Sequence, residues 1–240
     1  MIGVAKTMMI EIFQPSLPAI VTAGFAGTYV LMISVFNMVG RIFWASMSDF
    51  IGRKPTYFIF FSLGILLYLS IPFTAKAMSI NPAVTYLILF YAASMIIFTM
   101  YGGGFATIPA YLADIFGTKY VGGIHGRLLT AWSTAGVLGP VAITQLRQSS
   151  MDNAINELVQ KISPEKFQEI YGSSIENLSL LVQQKTVTIS NLMPHMPEGT
   201  INPSTTLYNT TMFAMAGLLA IAFICNLLIS PVDSKHHMKE

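Results

Sequence analysis

The sequence predicts an all-α membrane protein, and three observations carry that expectation. Apolar residues make up 53% of its 240 residues and charged ones only 10%, with a mean hydropathy of +0.61, whereas a soluble domain is about a quarter charged. The apolar residues gather into runs of roughly 20, the length that crosses a bilayer, separated by short polar turns. Where one run is interrupted by a charge, at Arg41, the charge keeps register with other polar groups: Ser34, Asn37, Arg41, Trp44 and Ser48 recur every three or four residues and share one helix face. A helix with such a stripe turns it to protein or water and its other side to lipid.

Residues 1–13 are apolar but hold Lys6 and Glu11 and are too short to cross alone. They lack the basic start, long apolar middle and cleavage site of a signal peptide. The expectation is the latter part of a helix whose beginning is missing; the alternative is an interfacial segment. Gln14, Pro15, Ser16 and Pro18 make a loop, since successive prolines remove donors. Four spans follow, at about 19–47, 56–73, 84–113 and 121–143. Pro72 closes the second. Gly102, Gly103 and Gly104 interrupt the third, with Pro109 beyond, and serve either close helix packing or a bend. Gly136, Gly139 and Pro140 loosen the far end of the fourth. A last span covers 207–229, ended by Ser230 and Pro231, and 230–240 is a tail.

Residues 147–206 behave differently, with four basic and six acidic side chains and prolines at 164, 194, 197 and 203. This is a soluble loop. Ile155, Leu158, Val159 and Ile162, then Ile175, Leu178, Leu181 and Val182, recur at helical spacing and predict short amphipathic helices. They lie on the membrane surface or cap the extracytoplasmic mouth, or the loop is a tolerated insertion. His195 stands alone among methionines and prolines, so no metal cluster is expected.

Between 37 and 55 the chain reads NMVGRIFWASMSDFIGRKP, and the spacing Ala45-x-x-x-Asp49-x-x-Gly52-Arg53-Lys54 resembles the short-loop motif of the major facilitator superfamily. Ala45 stands for its first glycine and Phe50 for its first basic residue, a decay usual in the second half of these transporters. Residues 101–140, YGGGFATIPAYLADIFGTKYVGGIHGRLLTAWSTAGVLGP, are similar to the oxalate/formate antiporter family. The resemblance implies the C-terminal six-helix half, first helix truncated, of a twelve-helix transporter of small carboxylates. Its partners would be a small organic anion, the lipid bilayer and a separate N-terminal half or a second copy; no cofactor is implied.

Basic residues set the expected orientation. Arg53 with Lys54, Lys119 with Arg127, and Lys235 with Lys239 in the tail fall on one side if the spans alternate, while Lys76 and the 147–206 loop fall on the other. The basic side is cytoplasmic. The expected location is thus a multi-pass protein of the cell's inner membrane, with a cytoplasmic C-terminus and an extracytoplasmic 147–206 loop.

Arg41 lies eight residues before Asp49, or about 12 Å at the helical rise, near mid-membrane. A guanidinium there grips a carboxylate through paired, charge-assisted hydrogen bonds. By the resemblance, the arginine in this Met-Val-x-Arg context contacts the substrate carboxylate, which assigns that role to Arg41; the alternative is an ion pair with a neighbouring helix. Asn37 occupies the place of an acidic proton-coupling residue in monocarboxylate transporters and cannot exchange a proton, which favours exchange or facilitated movement. Arg127, only about 8 Å into its helix, forms a stripe with Thr130 and Thr134; the resemblance implies a second substrate-binding basic residue on this helix, which makes it the second candidate contact, the alternative being that it snorkels to the headgroups. Tyr91, Ser94 and Tyr101 share one face and line a cavity or simply pack. Asp49, Gly52, Arg53 and Lys54 form a turn able to bias a gating interface, or a topological anchor.

Other classes are poorly served. No nucleophile sits with a base, no phosphate loop or metal-ligand spacing occurs, and the net charge of +2 gathers into no nucleic-acid face. The single cysteine, Cys225, lies in an apolar run. The competing readings are a non-transporting remnant or membrane interaction subunit, and a facilitator for sugars or drugs that does not need Arg41.

Overall fold

A computed structural model describes residues 4–233 and contains, within them, nine α-helices and no strand. Four are long and apolar enough to cross a membrane: α2 (Ala23–Ile51), α3 (Arg53–Ile80), α4 (Val84–Phe116) and the segment Pro203–Leu228 that contains α9 (Asn209–Leu228). The others are α1 (Ala5–Phe13), α5 (Val121–Val159), α6 (Pro164–Tyr171), α7 (Leu178–Gln183) and α8 (Ile189–Leu192).

Three boundaries differ from the sequence reading. Pro72 does not end its helix: α3 runs on to Ile80. Proline takes its N–H out of the ladder and crowds the carbonyl one turn back, a cost that a helix held by its neighbours tolerates, and Pro72 is buried within α3. The predicted 121–143 span is the first part of a 39-residue helix, about 58 Å long, whose second part belongs to what reads as loop. It is long enough but not apolar enough to count among the four, because His125, Arg127, Thr130, Ser133 and Thr134 dilute it. Third, α2 starts at Ala23, with the Thr22 hydroxyl capping Phe25 N at 3.2 Å.

Helices α2 and α4 form the tightest pair. A Cβ on Gly40 would sit 2.1 Å from the Thr99 carbonyl oxygen, one on Gly102 2.0 Å from that of Asn37, and one on Gly103 2.5 Å from Trp44 Cβ. The helices meet backbone to backbone, as small residues allow in a membrane. Gly102 and Gly103 therefore serve packing in a continuous helix. Trp44 Nε1 donates to Thr99 Oγ1 at 3.2 Å across the same seam.

Antiparallel to α3 runs α9, with Phe58 on Phe223 at 4.9 Å and Gly64 under Leu219. Every apolar residue of α1 that the core uses, Ala5, Met8, Met9, Ile12 and Phe13, is buried, and Phe13 meets Phe90 of α4 at 5.0 Å. That burial sets α1 against the bundle.

The 147–206 region folds around buried apolar side chains. Ile155, Leu158, Val159 and Ile162 are buried at the end of α5, together with Phe167, Val187, Ile189 and Leu192. Ile175, Leu178, Leu181 and Val182 are partly buried against the same core. Both predicted apolar quartets thus face inward, as amphipathic helices do.

Candidate functional site

At one end of the bundle, the α2–α3 turn is held by its own charges. Gly52 joins the helices at φ 90°, ψ 157°, a conformation open essentially to glycine alone. Arg53 pairs with Asp49 and donates to the Ser48 hydroxyl. Lys54 Nζ donates to the carbonyls of Leu227 and Ile229 at 3.0 and 2.6 Å, capping the C-terminal end of α9 where the helix dipole favours a cation. Buried Asn226 completes the latch: its amide donates to Lys54 O at 3.3 Å, and its Oδ1 accepts from Tyr111 of α4 at 2.9 Å. Val232 N donates to Ile115 O at 3.0 Å. The turn with Arg53 and Lys54, the end of α4 before Lys119, and the end of α9 therefore share one end of the molecule. Lys235 and Lys239 lie outside the described residues.

The opposite end carries a second polar cluster. Arg147 of α5 forms a two-pronged ion pair with Glu11 of α1, its Nε at 2.9 Å from Oε2. Tyr208, ahead of α9, donates to the same Glu11 oxygen at 2.7 Å. Hydrogen bonding to Glu11 raises the Arg147 pKa above its already high value, so its charge is permanent. Sequence reasoning missed both the latch and this cluster. Their signals were single polar residues in apolar context, Asn226 in CNLL and Glu11 in MMIEIF, with no clue to partners 136 or 197 positions away.

Arg41 lies on α2 at the rim of the face turned to α4. Counting by the helical repeat, Arg41 is about 40° round from Asn37, whose backbone lies against Gly102. Arg41 is exposed, Asn37 half-buried, and no described residue makes an ion pair or hydrogen bond with the guanidinium. The ion pair considered as its alternative role is not among those formed. Arg127 and Thr130 are exposed on α5; Thr130 and Thr134 turn their hydroxyls to carbonyls one turn back, at 2.7 and 2.9 Å.

Tyr101 stands elsewhere. It faces an apolar slot of about 320 Å³ between α3, α4, α5 and α9, stacked edge-on with Phe105 at 5.1 Å. Tyr91 and Ser94 pack: Tyr91 meets Tyr29 edge-on at 5.4 Å, and the buried Ser94 hydroxyl bonds Phe90 O at 2.8 Å. No described hydrogen bond, ion pair or ring contact joins Arg41 and Asn37 to Arg127, Thr130 or Tyr101.

Against characterised proteins, 119 residues of this chain are 30% identical to the oxalate:formate antiporter of Oxalobacter formigenes, covering 48% of this chain and 26% of that protein. The chain thus matches about a quarter of its relative's length. The relative is by name a transporter and not an enzyme. No family model and no solved structure matches the chain. The likeness is to an antiporter, and the four helices fit to cross a bilayer suit a multi-pass membrane protein.

Proposed function

We propose that the chain carries small carboxylates across a membrane, as the C-terminal half of a secondary transporter that works by alternating access, and that Arg41 binds the substrate carboxylate. The observation that carries this reading is a guanidinium midway along a candidate span with no anion paired to it. A cation at that depth is costly unless compensated, and a carboxylate compensates it through two parallel hydrogen bonds. Asn37, beside it, offers a neutral hydrogen-bonding amide. Arg127 and Thr130 supply the second contact, on the side of α5 away from the apolar slot.

The six helices of such a half would be α1, α2, α3, α4, α5 and α9, with 147–206 as the extracytoplasmic cap and the Asp49, Gly52, Arg53 and Lys54 turn on the cytoplasmic side. What supports this orientation is the gathering of the Lys54 turn, Lys119 and the end of α9 at one end, since basic residues favour the cytoplasm. The hold of Lys54 on α9 supports a gating role: releasing it frees the α2–α3 turn. An open cavity for substrate requires a second half, from a separate chain or another copy.

The test is uptake of labelled oxalate, formate, pyruvate and lactate into proteoliposomes, with the chain alone and co-reconstituted with a matching N-terminal half. Uptake that needs the second half and vanishes with Arg41→Gln supports the reading. A folded, inserted protein that carries none of them in any combination favours the interaction-subunit reading, and uptake indifferent to Arg41→Gln favours the facilitator.

A further inference from the structure

The slot that holds Tyr101 has a shape of its own. Its α3 wall is Tyr57, Phe60, Phe61, Gly64 and Tyr68; from Tyr57 to Tyr68 is eleven residues, about 16 Å along the helix. It is a long, narrow, almost wholly apolar space lying parallel to the helices, at the small end of the range of about 300–1,000 Å³ for ligand pockets. Two glycines widen it. A Cβ on Gly104 would meet nothing within 4 Å, and one on Gly64 only the tip of Leu219 at 2.9 Å. Trp132 and Tyr101 flank its α4–α5 side and are exposed.

One polar atom on this wall is unexplained. His125 Nδ1 is buried and has no hydrogen-bond partner among the described residues. A buried polar atom left unpaired is costly and calls for an occupant. His125 stands one turn inside the start of α5, near the bundle end that carries the Lys54 turn. A bilayer lipid presents its ester carbonyls at that level, between the headgroup and the chain.

We infer that the slot holds one acyl chain of a bilayer phospholipid, with an ester oxygen of the glycerol backbone at His125 and the chain running past Gly104 and Gly64 towards Tyr68. The lining that extends along α3 from Tyr57 to Tyr68, its apolar character and the orphan His125 nitrogen at one end match a diacyl lipid. A compact polar metabolite fits neither the length nor the lining. Occupied, the slot fills the space between α3 and α5, while α5 meets α4 through Phe105 and Trp132 at 5.1 Å. This site is separate from Arg41 and does not depend on transport.

The test is native mass spectrometry of the full chain released from phosphatidylcholine nanodiscs, for wild type, Gly104→Ala, Gly104→Leu and His125→Phe, each checked for a single size-exclusion peak. Wild type and Gly104→Ala are expected to retain one phospholipid, Gly104→Leu to lose it, and His125→Phe to retain it in a smaller fraction at equal collision energy. Where Gly104→Leu fails the size-exclusion check, Ile108→Phe fills the same slot and carries the same expectation. Retention of no lipid by wild type, equal retention by the filled variants, or displacement of the phospholipid by added free fatty acid overturns the assignment.

Discussion

Gly102 and Gly104 lie two residues apart on α4, and a methyl group at each is expected to have opposite effects. At Gly102 the new Cβ would stand 2.0 Å from Asn37 O and 2.9 Å from Asn37 C, against the 3.0 Å below which real Cβ contacts essentially never fall. The obstacle is helix backbone, which has no rotamer to change, so α2 and α4 must part by about 1 Å. A gap of about 0.5–1 Å already forfeits a quarter to a half of the dispersion well for atoms across it, and overpacking of this kind costs about 1–3 kcal/mol. The tightness of this seam, with a Cβ on Gly40 at 2.1 Å from the Thr99 carbonyl oxygen and one on Gly103 at 2.5 Å from Trp44 Cβ, puts Gly102→Ala at the upper end. At Gly104 the methyl meets nothing within 4 Å and removes the glycine penalty, a gain of about 0.5–1 kcal/mol. The assay is reversible unfolding of the reconstituted protein in mixed micelles with added denaturing detergent, read by circular dichroism. Gly102→Ala is expected to unfold well before wild type and Gly104→Ala at or after it. Equal midpoints for Gly102→Ala and wild type, or an equal loss for both variants, would refute the backbone-contact argument.

Two other substitutions probe the ends of the bundle. Gly52→Ala places a side chain at φ 90°, ψ 157° and is expected to lower stability by about 1–3 kcal/mol, read in the same unfolding assay; an unchanged midpoint would mean that the turn relaxes. Glu11→Gln removes the charge from the pair with Arg147 and weakens the Tyr208 bond, with an expected loss of about 1.5–3 kcal/mol. Proteolysis should then cut the 147–206 cap faster, whereas unaltered cleavage would separate the cap's stability from this cluster.

How far the sequence foretold this arrangement differs from element to element. Apolar runs made α2, α3, α4 and α9 readable, because a chain in lipid must close its backbone hydrogen bonds within each helix. Their ends were less so. Pro72 looked like a stop because in water a proline inside a helix is costly, yet here the surrounding packing carries the helix through. The continuation of α5 beyond 143 was hidden by its polar content, although the Ile155, Leu158, Val159 and Ile162 period already marked one buried face. Glycine at 102–104 left packing and bending equally open, since only the partner helix, with Gly40 facing Thr99, decides between them. Tyr101 was grouped with Tyr91 and Ser94 by helical spacing, but it lines the slot between α3, α4 and α5, while Tyr91 meets Tyr29 of α2. The Asp49–Lys54 turn was legible as a motif; that Lys54 caps α9, 173 residues on, was not, because nothing local encodes a partner so distant. Arg41 was legible through its polar stripe, its Met-Val-x-Arg context and its cost: a charge in an apolar run needs a reason.

That reason is the central claim, and equilibrium binding tests it most directly. With the chain reconstituted beside a matching N-terminal half, oxalate affinity is measured by calorimetry for wild type, Arg41→Lys and Arg41→Gln. Hydrogen bonds to a charged group contribute about 1.5–3 kcal/mol, so Arg41→Gln is expected to weaken binding by roughly tenfold to a hundredfold. Arg41→Lys, which keeps the charge but loses the two-pronged grip, should fall between. Oxalate bound as tightly by Arg41→Gln as by wild type would contradict the account and leave Arg41 without the role proposed for it.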